Sequence, residues 1–427
     1  MSEKVIKAGV VGVGRGSILW RYCQKAKNAQ LVAVCDKWED GLKKVEKELG
    51  DPNVTYYTDY EEFLKHDMDV VLLANYANEH APFAVAAMKA GKNVISEVLP
   101  VQTMAEAIEL VECVESTGKK YYYAENYCYM NGPYEMKRLY QNGEIGEFEY
   151  GEGEYIHNCE YGWAELTTGD PDHWRNNMSA FFYCTHSAGP LIHITGMRPV
   201  KVVGLEGYFN FRAAREGAKR GCVGIEMVTL ENGGIFKSVH GGGLSKDSVW
   251  YSVNGSRGKV ETSRYIAKEG GTGVLYTDLD ESEAYGSGLG VTRYYPRSEI
   301  AKQSGGMGHG GSDYVNLYNI FEDLKGNPAD IIDVYEGLDM WMVGFFAYLS
   351  VLNGGITMDI PDLRKKEARD QYRNDRRCTD PKVAGDQLLP SYSKGNPIID
   401  DAIYKKIRDR WEEIHGGKRE ANTFDEV

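Results

Sequence analysis

The stretch from Val5 to Asp36 constrains this chain most. An apolar run, Ala8 to Val13, passes directly into a glycine-rich turn, Gly12-Val-Gly14-Arg15-Gly16-Ser17. A helix-prone segment follows, and a second apolar run, Leu31 to Cys35, ends at Asp36. That order matches a strand, glycine loop, helix, strand and acid, the fingerprint of a dinucleotide site. Gly12 permits the tight turn, and Gly14 lets backbone approach a pyrophosphate. The amides opening the helix then face the phosphates, aided by the helix dipole. Asp36 can accept both hydroxyls of the adenosine ribose and repels a 2′-phosphate, which favours NAD over NADP. Lys37 works against that preference. The spacing departs from the usual triplet, with Ser17 at the third glycine position and Gly16 one residue early.

Length and charge narrow the classes that remain. The chain has 427 residues, enough for two or three domains. Its formal charge of −14 argues against nucleic acid as the main partner. The sequence has no apolar run of about 18 residues, so no membrane span is expected. The N-terminus enters the first strand at once, which gives the expectation of a cytoplasmic enzyme without a signal peptide. Eight cysteines lie scattered without metal-binding spacing and read as reduced thiols. Thirty tyrosines suggest aromatic clefts or interfaces.

Strands and helices alternate through about residue 126, the pattern of a doubly wound parallel sheet. β-rich runs separated by glycine turns then recur from Glu147 to Thr277, predicting an α+β second domain with a large, mostly antiparallel open sheet. Helices are expected over 313–324 and 333–352. We divide the chain into an NAD-binding Rossmann domain (1–128), a substrate and oligomerisation domain (129–360) and a charged C-terminal extension (361–427). The helices of that extension are expected to be exposed or to reach a neighbouring subunit.

Ala74-Asn75-Tyr76-Ala-Asn78-Glu-His80, followed by Ala90-Gly-Lys-Asn-Val-Ile-Ser-Glu97, resembles the Gfo/Idh/MocA family of sugar and cyclitol oxidoreductases. The resemblance implies a Rossmann domain and an open-sheet domain facing the nicotinamide. It places Asn75, Tyr76, Asn78 and His80 under or beside the cofactor, Glu97 at the nicotinamide ribose, and Arg15 and Asn126 among the cofactor contacts. The family's catalytic lysine follows that glutamate, but Val98 stands there. Valine carries no proton, so that role must lie elsewhere.

Four further motifs resemble the branch that contains NAD-dependent glycosidases of the α-N-acetylgalactosaminidase type. They are Ala124-Glu125-Asn126-Tyr-Cys-Tyr129, Gly153-Glu-Tyr-Ile-His157, Tyr183-Cys-Thr-His186-Ser-Ala-Gly-Pro190 and Gly308-His309-Gly-Gly-Ser-Asp313. The resemblance implies His186, Tyr183 and Glu125 as the catalytic set. A histidine titrates near neutrality and can take and return a hydroxyl proton. A tyrosine, with its ordinary pKa of about 10, suits a relay. Glu125 is expected at the leaving group or on the ribose. His157, His309, Trp174 and Arg175 are expected to bind sugar, the last two as a stacking face and a polar clamp. No metal site is expected.

The expected function is NAD-dependent oxidation of a ring hydroxyl, at C3, of a sugar or glycoside. The first alternative is a glycoside hydrolase working by transient C3 oxidation, elimination, water addition and re-reduction. The second is a non-catalytic NAD-binding regulator. A homodimer or homotetramer is implied by resemblance.

Overall fold

The computed structural model describes residues 4–268, 271–278 and 291–416. The first sheet has six parallel strands: β1 (Ile6–Val11), β2 (Ala29–Cys35), β3 (Thr55–Tyr57), β4 (Val70–Leu73), β5 (Asn93–Ser96) and β6 (Tyr121–Tyr123). Their order is β3-β2-β1-β4-β5-β6. Parallel strands covered on both faces lose the alternation of a half-exposed strand. Accordingly, Val70 to Leu73 are buried without a break. The helix Met104–Thr117 begins in a capping box, with Thr103 accepting from the Glu106 amide and Glu106 reaching back to Thr103. The glycine loop follows β1 and leads to β2 on one side of it, whereas β4 lies on the other side, so the loop stands where the strand order reverses, at the switch point of the sheet.

The second sheet has nine strands: β7 (Phe148–Ile156), β8 (Pro199–Glu206), β9 (Gly224–Leu230), β10 (Ile235–Gly241), β11 (Ser248–Gly255), β12 (Gly258–Lys268), β13 (Gly271–Asp278), β14 (Val291–Tyr294) and β15 (Met358–Asp359). The order is β14-β13-β12-β11-β7-β10-β9-β8-β15. Every pairing is antiparallel except β7 with β10. The inner face is covered by the helices Thr185–Thr195 and Val334–Leu352. The latter is buried along nearly its whole length, as its apolar composition requires.

Two departures from the sequence reading concern packing. The helix Ser312–Lys325 belongs to the second half of the chain, yet Leu317, Ile320 and Phe321 share a core with Leu19, Trp20 and Tyr22 of the Rossmann domain. The C-terminal extension folds back on its own chain. Arg373 and Arg369 pair with Glu112 and Glu115 on Met104–Thr117, and the Tyr404 hydroxyl donates to the Gly217 carbonyl. Trp411 and Ile407 pack against Trp163. Residues 417–427 lie outside the described residues. Among the described residues, no helix is long and apolar enough to cross a membrane.

Candidate active site

The glycine loop forms an anion cradle. Gly12 has a φ of +98°, and a Cβ there would overlap the Ala74 carbonyl. A Cβ on Gly16 would overlap the Gly12 carbonyl, whereas one on Gly14 would meet nothing within 4 Å. Gly16, rather than Ser17, is therefore the residue whose smallness closes the turn, and Gly14 faces open space. Among the described residues the amides of Gly14, Arg15 and Gly16 donate to no protein group, a free set of N–H donors ahead of helix α1 (Ser17–Lys25). Asp36 follows β2, its two oxygens held by the amides of Val13 and Trp38 at 2.8 Å. Asn75 Oδ1 and Asn78 Oδ1 are buried polar atoms without a partner among the described residues. Lys37 is exposed. These features fit an NAD molecule lying across the switch point.

Other residues expected at the cofactor are occupied elsewhere. His80 is 1% exposed, and its Nδ1 donates to the Leu99 carbonyl at 2.7 Å. Burial pushes its pKa down to about 4. Neutral and buried, it pins the turn after Glu97, and its Nε2 is without a partner among the described residues. The Arg15 guanidinium leaves the loop to meet Glu97 through Nε at 2.8 Å and Asp313 through both Nη atoms at 2.8 and 2.9 Å. Asp313 also accepts from Asn126 at 2.7 Å and pairs with His309 at 3.1 Å. Burial opposes ionisation of Asp313, but the hydrogen bonds and charges of Arg15 and His309 hold its carboxyl well below the usual range. Burial instead raises Glu97, with Arg15 opposing. Arg15, Asn126 and His309 thus join the glycine loop to the start of helix Ser312–Lys325. The reason is electrostatic: a buried Asp313 needs compensating donors.

The second half of the site is centred on His186. The helix Thr185–Thr195 presses on β7 at Gly153, where any Cβ would overlap the Ser187 carbonyl. This close approach brings His186 next to Tyr155. His186 Nδ1 lies 2.6 Å from Glu125 Oε1, and the Tyr251 hydroxyl donates to the His186 carbonyl at 2.5 Å. His186 Nε2 has no hydrogen-bond partner among the described residues and is not sealed from solvent. Its ring lies between Tyr127 at 4.3 Å, Tyr155 at 4.8 Å and Tyr183 at 5.1 Å, centre to centre.

Glu125 is fully buried. It stands behind the histidine and accepts from the Tyr127 amide. Its contact with Nδ1 is that of a group orienting His186. That contact arises because the strand end at Ala124 turns inward under the helix Thr185–Thr195, a tertiary placement with no local signature.

The sugar-binding candidates line up beside Tyr183. Arg175 lies over Trp174 at 4.3 Å and over Tyr183 at 5.2 Å. His173 stacks on Trp174 and meets Tyr76 edge-on, so the aromatic wall runs back to the cofactor side. Tyr127 stands 6.0 Å from His309. His157 is at the rim, paired with Asp247 at 3.3 Å and edge-on to Tyr155. His193 is pinned between Glu336 and Asp330, away from the site. The sequence reading missed the enclosing role of Tyr127 and Tyr155, although both lie within motifs it singled out. It assigned nothing to Asp313 or His240.

Comparison with known proteins gives a two-part match along the chain. Residues 6–125 match the Gfo/Idh/MocA oxidoreductase family, NAD-binding Rossmann fold, and residues 292–369 match the glycosyl hydrolase 109 C-terminal domain. A glycosyl hydrolase family 109 protein of Solibacter usitatus is 26% identical over 396 residues, covering 84% of this chain and 88% of that one. An alpha-N-acetylgalactosaminidase of Tannerella forsythia is 25% identical over 421 residues, covering 85% and 87%. The crystal structure of an NAD binding oxidoreductase from Klebsiella pneumoniae superposes with a TM-score of 0.70 at 17% identity, covering 84% of this chain and 99% of that one. The fold is therefore that of these oxidoreductases.

Proposed function

From a chain that joins a Gfo/Idh/MocA NAD-binding domain to a glycosyl hydrolase 109 C-terminal domain, we propose an NAD-dependent glycoside hydrolase that works by transient oxidation of the sugar ring. The observation that carries the chemistry is the Glu125–His186 pair, with a free imidazole nitrogen facing the cleft. The redox-neutral outcome, over net dehydrogenation, is favoured by the identity of the matched C-terminal domain.

NAD, when bound, supplies the hydride acceptor and later the donor. The chain's own residues handle protons. With Glu125 accepting from Nδ1–H, His186 presents Nε2 as the base for a ring hydroxyl, which we assign to C3. Glu125 compensates the imidazolium that forms. The resulting ketone acidifies the neighbouring C2–H, and loss of that proton expels the glycosidic oxygen. Tyr183, edge-on to His186 at 5.1 Å between ring centres, is the group we assign to relay a proton. Water adds to the enone, and the proton held on His186 returns to the C3 oxygen on reduction. Trp174, Arg175 and His309 would hold the sugar, with His157 at the rim. Val98, buried beside Glu97, takes no part in proton transfer.

The test is turnover of a panel of aryl glycosides by the NAD-loaded protein. His186→Ala and Tyr183→Phe are compared with the wild type at equal NAD content. Aglycone release should fall about 10²- to 10⁴-fold in His186→Ala, the range for removing a positioned acid–base. Unchanged turnover in both variants would defeat the assignment. NAD binding without turnover of any glycoside would instead favour a regulatory role.

A further inference from the structure

His240 is a site residue that the mechanism above does not use. It is the penultimate residue of β10, directly opposite Tyr155 of β7 in the parallel register. The two rings stack at 5.5 Å with 8° between planes, and Tyr183 stands 5.9 Å away. His240 therefore shares two of the three aromatic neighbours that enclose His186.

Its protonation pattern is fixed by its surroundings. Nδ1 lies 2.8 Å from the Ala180 carbonyl oxygen, which can only accept. The proton therefore sits on Nδ1, and the lone pair sits on Nε2. Nε2 makes no hydrogen bond among the described residues, yet it is not sealed. The residue is 4% exposed, and the opening at Nε2 is where a ligand can meet it. Burial pushes the pKa down to about 3, and the Arg220 guanidinium acts in the same direction. No carboxylate stands close enough to reverse that.

We propose that His240 is a specificity-determining acceptor: its Nε2 accepts a hydrogen bond from a hydroxyl or amide N–H on the sugar carbon beside the one that is oxidised. The inference rests on the sugar-oxidising reading above. An acceptor that cannot become a donor selects by difference. A donor substituent is held, whereas a deoxy or O-methyl substituent leaves Nε2 unpaired in a nearly dry wall. His186, with a carboxylate behind it, is built to change protonation state. His240, with a carbonyl behind it, is built to keep one. Two histidines on one cleft therefore divide proton transfer from recognition.

The experiment compares wild type, His240→Phe and His240→Gln, all NAD-loaded, on the best glycoside of the panel and on its monodeoxy analogues. Phenylalanine keeps the stack on Tyr155 and removes the acceptor. KM for the parent should rise about ten-fold in His240→Phe, with kcat within about three-fold and NAD content unchanged. One deoxy analogue should be a poor ligand for the wild type and bind His240→Phe no worse than the parent does. If the phenylalanine variant fails to retain NAD or to unfold cooperatively, the glutamine variant is read in its place. Equal KM and equal deoxy discrimination in the folded variant would overturn the proposal. A collapse of kcat at constant KM would overturn it too, since that marks a positioning role for the reacting groups. Absence of turnover in the wild type would instead overturn the sugar-oxidising reading, and this proposal with it.

Discussion

At the scale of single residues, two separations decide the account. The first is 2.6 Å between His186 Nδ1 and Glu125 Oε1. Replacing Glu125 by Gln keeps the volume but removes the negative charge behind the imidazole. We expect kcat to fall about 10²-fold while NAD affinity and KM stay within about two-fold. A purely structural glutamate would lower NAD content and thermal stability together with kcat. The second concerns two glycines. Gly16→Ala forces a Cβ into the Gly12 carbonyl, so the loop must open, and both stability and NAD affinity should drop. Gly14→Ala places its Cβ in open space, so thermal stability without NAD should be unchanged while NAD affinity falls. Calorimetry with and without NAD separates the two. Gly12, Gly14 and Asp36 could be read from the sequence because their roles follow from local backbone geometry. Glu125 could not be placed that way. Its position depends on where a helix some 60 residues later lands on β7.

At the scale of elements, the helix carrying His186 and the strands beneath it form one unit. That helix contains Pro190, a residue that removes an intrahelical donor. Close packing on Gly153 and burial of the helix stabilise it despite that residue. Beneath it, Glu226 of β9 is fully buried, and neither carboxyl oxygen has a partner among the described residues. Ser187 and Ser238 hydroxyls bond to each other at 2.8 Å nearby. Burial pushes the Glu226 pKa up to about 8, with Ser238 acting weakly the other way. In the unfolded chain a glutamate titrates near 4.3. The raised folded value means the stability it contributes is full below about pH 4 and is lost as pH rises through about 8. Glu226→Gln should therefore flatten the dependence of Tm on pH between 5 and 8, with the larger gain in Tm at pH 8. Equal shifts at both pH values would show that Glu226 is ionised in the fold.

At the scale of the whole molecule, the second sheet is covered on one face only. Tyr150, Leu205, Met227 and Ile235 are exposed on neighbouring strands of the other face, with Lys237 and Glu152 paired among them. An exposed apolar patch of this kind marks interaction surfaces, and we propose that a second copy of this chain covers it. Met227→Asp should shift the protein to monomer in light scattering without loss of bound NAD. An unchanged mass would place the interface elsewhere. Alternating strands made the sheet legible in the sequence. The docking of the C-terminal extension was not, because its charges read equally well as solvated and only tertiary contacts pair Arg373 with Glu112.

The central claim is that oxidation of the sugar is transient. The direct measurement follows aglycone release and reduced nucleotide together, in one reaction with NAD at the protein concentration and glycoside in large excess. The account predicts many aglycones released per NAD, free sugar as product, and no net accumulation of NADH. One NADH formed for each sugar consumed, with a keto sugar and no free aglycone, would contradict it.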